Sequence, residues 1–147
     1  MTATEEDPLA LERQVCFALV VASRSVLSLY RPVLEPMGLT HPQYLVMLAL
    51  WERSPRSLRE LSAVLRLDPG TLSPLVKRLE KSGLVTRARD AQDERVLALT
   101  LTHAGRALRA EAEKVPAQIV ARLGLPVADL EHLHSVLTRV IAAADAP

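Results

Sequence analysis

Three sets of residues in this chain are of types that do chemistry. The first is a thiol. Cys16 is the only cysteine among 147 residues, and it lies in the apolar stretch Val15-Cys16-Phe17-Ala18-Leu19-Val20-Val21-Ala22. One cysteine makes neither an internal disulfide nor a cysteine-rich metal cage. It is either an inert apolar side chain or a lone redox thiol that attacks as the thiolate. The second set is Thr71, Ser73, Lys77 and Arg78, short polar and basic side chains on one side of an apolar stripe. The third is Arg87, Arg89, Asp93 and Arg95, around a short polar loop. The last two sets fit contact with phosphates and base edges.

The elements that must position them follow from spacing. A long helix is expected over 9–37, kinked or broken near its far end by Pro32 and Pro36 and ended by Gly38. Thr40-His41-Pro42-Gln43 has the form of a capping box, and the helix it starts runs through Trp51. Ser57-Leu58-Arg59-Glu60 is a second capping box, opening a short helix that ends near Arg66. Asp68 then caps a helix with Pro69 in its first position. Leu72, Leu75, Val76 and Leu79 fall on one buried stripe of that helix, and Gly83 stops it. Residues 84–89 and 95–101 alternate as two strands of a hairpin, with Leu97, Leu99 and Leu101 on one face and the loop 90–94 between them. Thr102 caps a further helix, Pro116 kinks or divides it, and a last helix runs to about Ala144.

Two short capped helices, a tight turn and a hairpin make a winged helix-turn-helix. The fold class is therefore mainly α with a small β-hairpin wing. Residues 39–102 form the DNA-binding core, and 9–38 with 103–145 supply dimerisation helices. The second short helix buries one face and offers Thr71, Ser73, Lys77 and Arg78 to a major groove. Its hydroxyls and its N-terminus suit phosphates and base edges, and Arg78 can grip a guanine. Pro74 removes a backbone hydrogen bond and offers an apolar contact to a thymine methyl. At the wing, Arg95 can enter a minor groove, with Asp93 placed to orient Arg95 or Arg87.

Charge agrees. Formal net charge is only +1, yet residues 53–95 hold ten basic and six acidic side chains, a local net of +4. A basic middle in a near-neutral chain is a modest footprint of phosphate binding. Apolar residues are 49% of the chain and aromatics 3%, so the core is built from Leu, Val and Ala. The run 15–22 is too short to cross a bilayer and is flanked by Arg13 and Arg24. With no signal peptide and no apolar run of spanning length, a cytoplasmic protein without membrane contact is expected.

The motifs Leu58-Arg59-Glu60-Leu61, Lys77-Arg78-Leu79-Glu80, Gly83-Leu84-Val85 and Asp93-Glu94-Arg95, followed by Leu101-Thr102 and Gly105, resemble the MarR family of bacterial regulators. The resemblance implies a homodimer on a pseudopalindromic operator in double-stranded DNA. Independently, the helices at 9–37 and 105–144 carry more apolar surface than so small a core can cover. Gln14 to Leu19, Ala22-Ser23-Arg24, Tyr30 to Leu34, Pro42 to Leu45 and Leu50-Trp51-Glu52 look like the organic hydroperoxide resistance branch. That branch implies that Cys16 is oxidised by an organic hydroperoxide, which acts as inducer, and that oxidation releases DNA.

The resemblance also implies tyrosine donors to the thiol, and Tyr30 matches one. Fourteen residues, or about 21 Å along a helix, separate it from Cys16. In one straight helix the two cannot touch, so if Tyr30 serves Cys16 it must come from a partner subunit, unless the helix is strongly bent. Val20 and His41 stand where the single-cysteine pattern has further tyrosines. Cys16 is expected about two turns into its helix, where the helix dipole helps little. A resolving cysteine is absent, so a sulfenic acid must be captured by a low-molecular-weight thiol, cyclise or over-oxidise.

The same residues admit other classes. A related repressor could be released by a small phenolic or acidic ligand held between the dimerisation and winged-helix parts. A thiol peroxidase would share the first chemical step but leaves the DNA-reading elements unused. No nucleophile–base–acid spacing and no glycine-rich phosphate loop stands out, so no enzyme and no cofactor are expected. His132 and His134 are two apart on a helix and do not face one site, so no metal is expected either.

Overall fold

The computed structural model describes residues 7–89, 92, 93 and 95–147. Of the expected hairpin loop, Asp90, Ala91 and Glu94 lie outside the described residues, as do residues 1–6 at the start of the chain. The described elements are α1 (Val15–Leu34), α2 (His41–Glu52), β1 (Arg56–Ser57), α3 (Leu58–Leu65), α4 (Pro69–Lys81), β2 (Val85–Arg89), β3 (Leu97–Leu101), α5 (His103–Ala112), α6 (Val115–Leu123) and α7 (Val127–Asp145).

The first helix is shorter than its apolar pattern suggests. A 3₁₀ turn at Leu11–Arg13 is separated from α1 by Gln14, whose backbone is extended. The Gln14 side-chain amide folds back to donate to the carbonyls of Pro8 and Ala10, at 2.8 and 3.1 Å. Pro32 does not break α1, and the chain tightens into a 3₁₀ turn at Glu35–Met37 before Gly38 turns it with φ 71°. The capping box ahead of α2 is complete: the Thr40 amide donates to Gln43 Oε1 and the Gln43 amide to Thr40 Oγ1. The second is half a box. Ser57 Oγ accepts from the Glu60 amide at 3.0 Å, but the Glu60 carboxylate turns away to Arg53.

Among the described residues the sheet has three strands, not two, in the order β1-β3-β2 and all antiparallel. The extra strand is two residues long, too short to show alternation in the sequence. Its Arg56 stands opposite Leu99, which stands opposite Arg87 on the other side. Leu99 and Leu101 point into the core as expected, but Leu97 is 38% exposed. Pro116 divides α5 from α6 rather than kinking one helix.

One apolar core joins Leu34 of α1, Val46, Met47 and Leu50 of α2, Leu61 of α3, Leu72, Val76 and Leu79 of α4, Val85 and Leu99 of the sheet, and Val115 of α6. The approach of α5 to the wing root is tight. A Cβ on Gly105 would lie 2.1 Å from the Leu84 carbonyl oxygen. The Gly105 carbonyl in turn accepts from Trp51 Nε1 at 2.9 Å. These contacts lock α2, α5 and the base of β2 together.

Outside this core the helices are bare. In α1 only Val33 and Leu34 are buried, while Val15, Phe17, Leu19, Val20, Val21 and Leu27 are exposed. No residue of α7 is buried. The expectation of no spanning segment needs correction: Val15–Met37 is long and apolar enough to cross a membrane by length and composition. The run 15–22 alone is too short, but the same segment goes on past Arg24 with Val26, Leu27, Leu29, Val33 and Leu34.

Candidate nucleic-acid interface and thiol site

Helix α4 is anchored by the buried Leu72, Leu75, Val76 and Leu79, the stripe read from the sequence. Its other face is open: Thr71, Pro74, Lys77 and Arg78 are exposed and Ser73 is half-buried. Asp68 stands at the N-cap position, but its side chain makes no capping bond to the backbone. Instead Thr71 Oγ1 donates to Asp68 Oδ1 at 2.6 Å. That hydroxyl holds the Asp68 carboxyl below the usual carboxylate range.

Of the two partners expected for Asp93, the structure gives Arg95 and not Arg87. The Nε of Arg87 donates to Glu80 Oε1 of α4 at 2.9 Å, and its Nη2 reaches the same oxygen. The pair is mostly buried, with 23% and 33% of the two side chains exposed. Arg87 thus ties the wing to α4. Asp93 serves Arg95, accepting from its amide at 3.1 Å and its Nε at 3.2 Å, and the Arg95 side chain is 91% exposed. Arg89 is exposed at the end of β2.

Cys16 is exposed and occupies the second position of α1. The expectation of two turns of helix before it is wrong, because Gln14 breaks the helical run. The first turn is where unpaired backbone N–H groups and the positive end of the helix dipole lie. Tyr30 is on the same continuous helix, about 21 Å further along the axis. Tyr30 and His41 do come together, edge to face, with ring centroids 4.7 Å apart.

The sequence reading missed the third member of this cluster. Tyr44 lies 5.9 Å from Tyr30 and 6.3 Å from His41, centroid to centroid. The spacing held the signal: residues 41 and 44 are i and i+3 on one helix face. Tyr44 is buried and the other two are half-buried. Burial raises the Tyr30 phenol above its ordinary range and lowers His41 below its own. Burial, then the neighbouring Tyr30, raises Tyr44. At neutral pH the cluster offers two phenolic O–H donors and an uncharged imidazole. A groove of about 530 Å³ borders it, lined by Leu27, Arg31, Leu39, Thr40, His41 and Pro42. Val20 is exposed on α1. Among the described residues no cluster of His, Cys, Asp or Glu could hold a metal ion.

A short helix, a turn through Arg66 and Leu67, a helix with an open polar-basic face and a tied hairpin define a winged helix-turn-helix DNA-binding regulator. More narrowly, the chain belongs to the MarR-like family of transcriptional regulators SarA/Rot, whose pattern matches residues 28–111. It is 39% identical over 131 residues to the organic hydroperoxide resistance transcriptional regulator of Bacillus subtilis, covering 89% of each chain. Reduced AbfR of Staphylococcus epidermidis, solved bound to DNA, is 32% identical with a TM-score of 0.72, over 97% of this chain and 99% of that one. CouR of Rhodococcus jostii RHA1, solved with p-coumaroyl-CoA, is 29% identical with a TM-score of 0.77, over 90% and 94%. These relatives are regulators of transcription, not enzymes, which removes the thiol peroxidase reading.

Proposed function

We propose that this chain is a cytoplasmic, redox-sensing repressor that binds a pseudopalindromic operator as a homodimer and releases it when an organic hydroperoxide oxidises Cys16. The placement of Cys16 carries the reading. It is exposed in the first turn of a helix whose apolar side chains are left bare in the single chain. A second copy packed along α1 and α7 covers those side chains, so residues 9–38 and 103–145 serve dimerisation and 39–102 read DNA. The same packing can bring Cys16 of one copy to the Tyr30–His41–Tyr44 cluster of the other, which one chain cannot do. Likeness to the Bacillus subtilis regulator supports the inducer class.

In the sensing step the Cys16 thiolate attacks the terminal peroxide oxygen and the O–O bond breaks. Sulfur is oxidised to the sulfenic acid, and the peroxide is reduced to its alcohol, which takes up a proton. The phenols of Tyr30 and Tyr44 are suited to donate hydrogen bonds to the thiolate or to the leaving oxygen. With no second cysteine in the chain, the sulfenic acid passes to a low-molecular-weight thiol, cyclises or over-oxidises. Intact-mass spectrometry of the treated protein tells these apart. For DNA, Thr71, Ser73, Pro74, Lys77 and Arg78 face the major groove, while Arg89 and Arg95, held by Asp93, serve the wing.

The test is operator binding with and without cumene hydroperoxide. Wild type should be released and Cys16→Ser retained on DNA. Equal release of both would sink the redox reading. A second reading has its own observation: a groove of about 330 Å³ lies beside α2, α5 and the start of α6, with Tyr44, Leu48, Trp51, Ala112 and Pro116 as its apolar lining and Glu52, Arg109 and Glu113 as its charged one, Arg109 being paired with Glu113. The apolar lining suits the ring of a small phenolic acid, whose carboxylate would have to take Arg109 from Glu113. Release by such an acid in the absence of oxidant, in wild type and Cys16→Ser alike, would favour it.

A further inference from the structure

Three guanidiniums line one groove beside the root of the wing. Arg53, in the turn after α2, and Arg106 and Arg109 of α5 share it with Trp51, Ser54 and a single carboxylate, Glu52. Arg106 and Arg109 are i and i+3 on their helix and so lie on one face. Each is fixed by a main-chain carbonyl: Arg106 Nη1 donates to that of Leu101 at 2.8 Å, and Arg109 Nη1 to that of Trp51 at 3.2 Å. All three arginines are exposed, so donors remain to meet a ligand. Their charges are unequally matched. Arg53 pairs with Glu60 and Arg109 with Glu113, while Glu52 stands 3.5 Å from Arg56. The pairs of Arg53 and Arg109 are exposed ones, which are weak and exchange readily. Among the described residues Arg106 has no ion pair. The groove also holds the end of β3 by both main-chain groups. The Leu101 amide donates to Ser54 Oγ at 3.2 Å, and the Leu101 carbonyl is the acceptor for Arg106. At about 510 Å³ it has room for an organic molecule, not only for an inorganic ion. It adjoins the apolar groove beside α2 and α5, with which it shares Trp51, Glu52 and Arg109.

We propose that this groove binds a small phosphate ester with an apolar body, and that its occupation lowers DNA affinity through the wing root. The phosphate takes the unpaired Arg106 first, then Arg53 and Arg109, since a guanidinium offers paired N–H donors that match phosphate oxygens. The apolar body lies against Trp51, toward the adjoining apolar groove. Drawing Arg106 onto the phosphate takes its donor from the Leu101 carbonyl and loosens β3 where it leads into α5. The site needs no thiol chemistry. Only its effect on DNA rests on the wing as a DNA contact.

Trp51 is the only tryptophan in the chain, so its fluorescence reports on the groove directly. Phenyl phosphate is titrated into the full-length protein at fixed ionic strength, beside inorganic phosphate and benzoate. A saturable response is expected, with phenyl phosphate bound about fivefold tighter than inorganic phosphate or more. Arg106→Gln should weaken phenyl phosphate about tenfold or more and leave the benzoate response as it was. Arg53→Gln touches neither main-chain group of Leu101, so it answers the question if Arg106→Gln unsettles the wing; it should weaken the probe about threefold or more. Saturating phenyl phosphate should lower operator affinity about threefold or more, and operator DNA should weaken phenyl phosphate by the same factor. No saturable response in wild type, or one that both arginine variants keep, overturns the site. Equal affinity for inorganic phosphate overturns the apolar body, and a bound probe that leaves operator affinity unmoved overturns the coupling. Weaker operator binding by both variants with a smaller salt slope, and no wild-type response to the probe, would assign these arginines to the DNA backbone instead. Full operator affinity in Arg95→Ala would sink the wing reading and leave the Trp51 result standing.

Discussion

The Glu80–Arg87 tie makes a prediction whose sign separates two roles for Arg87. As a phosphate contact, Arg87 would gain freedom when Glu80 is neutralised, and Glu80→Gln would tighten operator binding. As the brace between α4 and β2, it would lose its anchor, and both Glu80→Gln and Arg87→Met would loosen the wing. The geometry favours the brace, because two guanidinium nitrogens converge on one carboxylate oxygen, with Nε at 2.9 Å. A charge-assisted hydrogen bond in a protected site is worth about 1.5–3 kcal/mol, and a fully exposed pair about 0.2–1 kcal/mol. With 23% and 33% of the side chains exposed, solvent screening leaves the pair between these, at about 1–1.5 kcal/mol. In a chain of this size that corresponds to a Tm lower by about 2–6 °C for either single variant. A double-mutant cycle by urea unfolding at fixed protein concentration should return most of that energy as coupling. Operator affinity should fall in both variants with the salt slope unchanged. Coupling below about 0.3 kcal/mol, or tighter binding by Glu80→Gln with a slope smaller by about one in Arg87→Met, would refute the brace.

The remaining predictions are simpler. Arg95→Ala removes a side chain that is 91% exposed, so stability should hold within about 0.5 kcal/mol while operator affinity drops; unchanged affinity across a salt series would count against the wing. Leu99→Ala empties a fully buried site in the central strand and should cost about 2–5 kcal/mol, read by chemical denaturation. Gly105→Ala places a methyl group against the Leu84 carbonyl, so the wing root must shift; a variant with wild-type Tm and operator affinity would show that the contact is soft. His41 is held below its ordinary pKa by burial, so the unfolded chain binds the proton more readily. Its contribution to stability is full above about pH 6.5 and is lost as pH falls from there toward the folded value. His41→Gln should flatten the stability–pH curve in that window, and an unaltered slope would exclude His41 as its cause.

Much of the winged-helix core was legible because its signals are local. The Thr40–Gln43 box, the Leu72–Leu79 stripe and the change from helical to alternating period each lie within a dozen residues, and each corresponds to an element in the structure. What was not legible depends on side chains choosing among partners. Glu60 had the spacing for a reciprocal cap and went to Arg53. Asp68 had the position for a cap and took the Thr71 hydroxyl. Arg87 had Asp93 nearby in sequence and Glu80 nearby in space. The thiol's setting was misjudged for a different reason. Apolar periodicity carries on through residues 9–37, but Gln14 satisfies two upstream carbonyls with its side chain and leaves its backbone extended, so the helix restarts one residue before Cys16.

The bare apolar length of Val15–Met37 admits three fates: a bilayer, aggregation or a partner helix. By composition alone the bilayer fits, but position argues against it. Arg24 falls near the middle of that segment, where a cation costs about 2.5–3.5 kcal/mol in hydrocarbon. Leu34 is fully buried in the same core as Met47, Leu72 and Leu99, so the far end cannot enter a membrane without dismantling the winged-helix core. The near end is different: among the described residues Val15, Phe17 and Val20 are exposed. A partner helix satisfies both ends at once. It leaves Arg24 a route to water, keeps Leu34 where it is, and covers the apolar stretch beside Cys16. In the proposed dimer a polar sulfenic acid would therefore form at the edge of an apolar contact, where desolvating it without a hydrogen-bond partner is costly. Oxidation can then act on DNA affinity by straining the contact that sets the spacing of the two recognition helices, with no change in α4 itself.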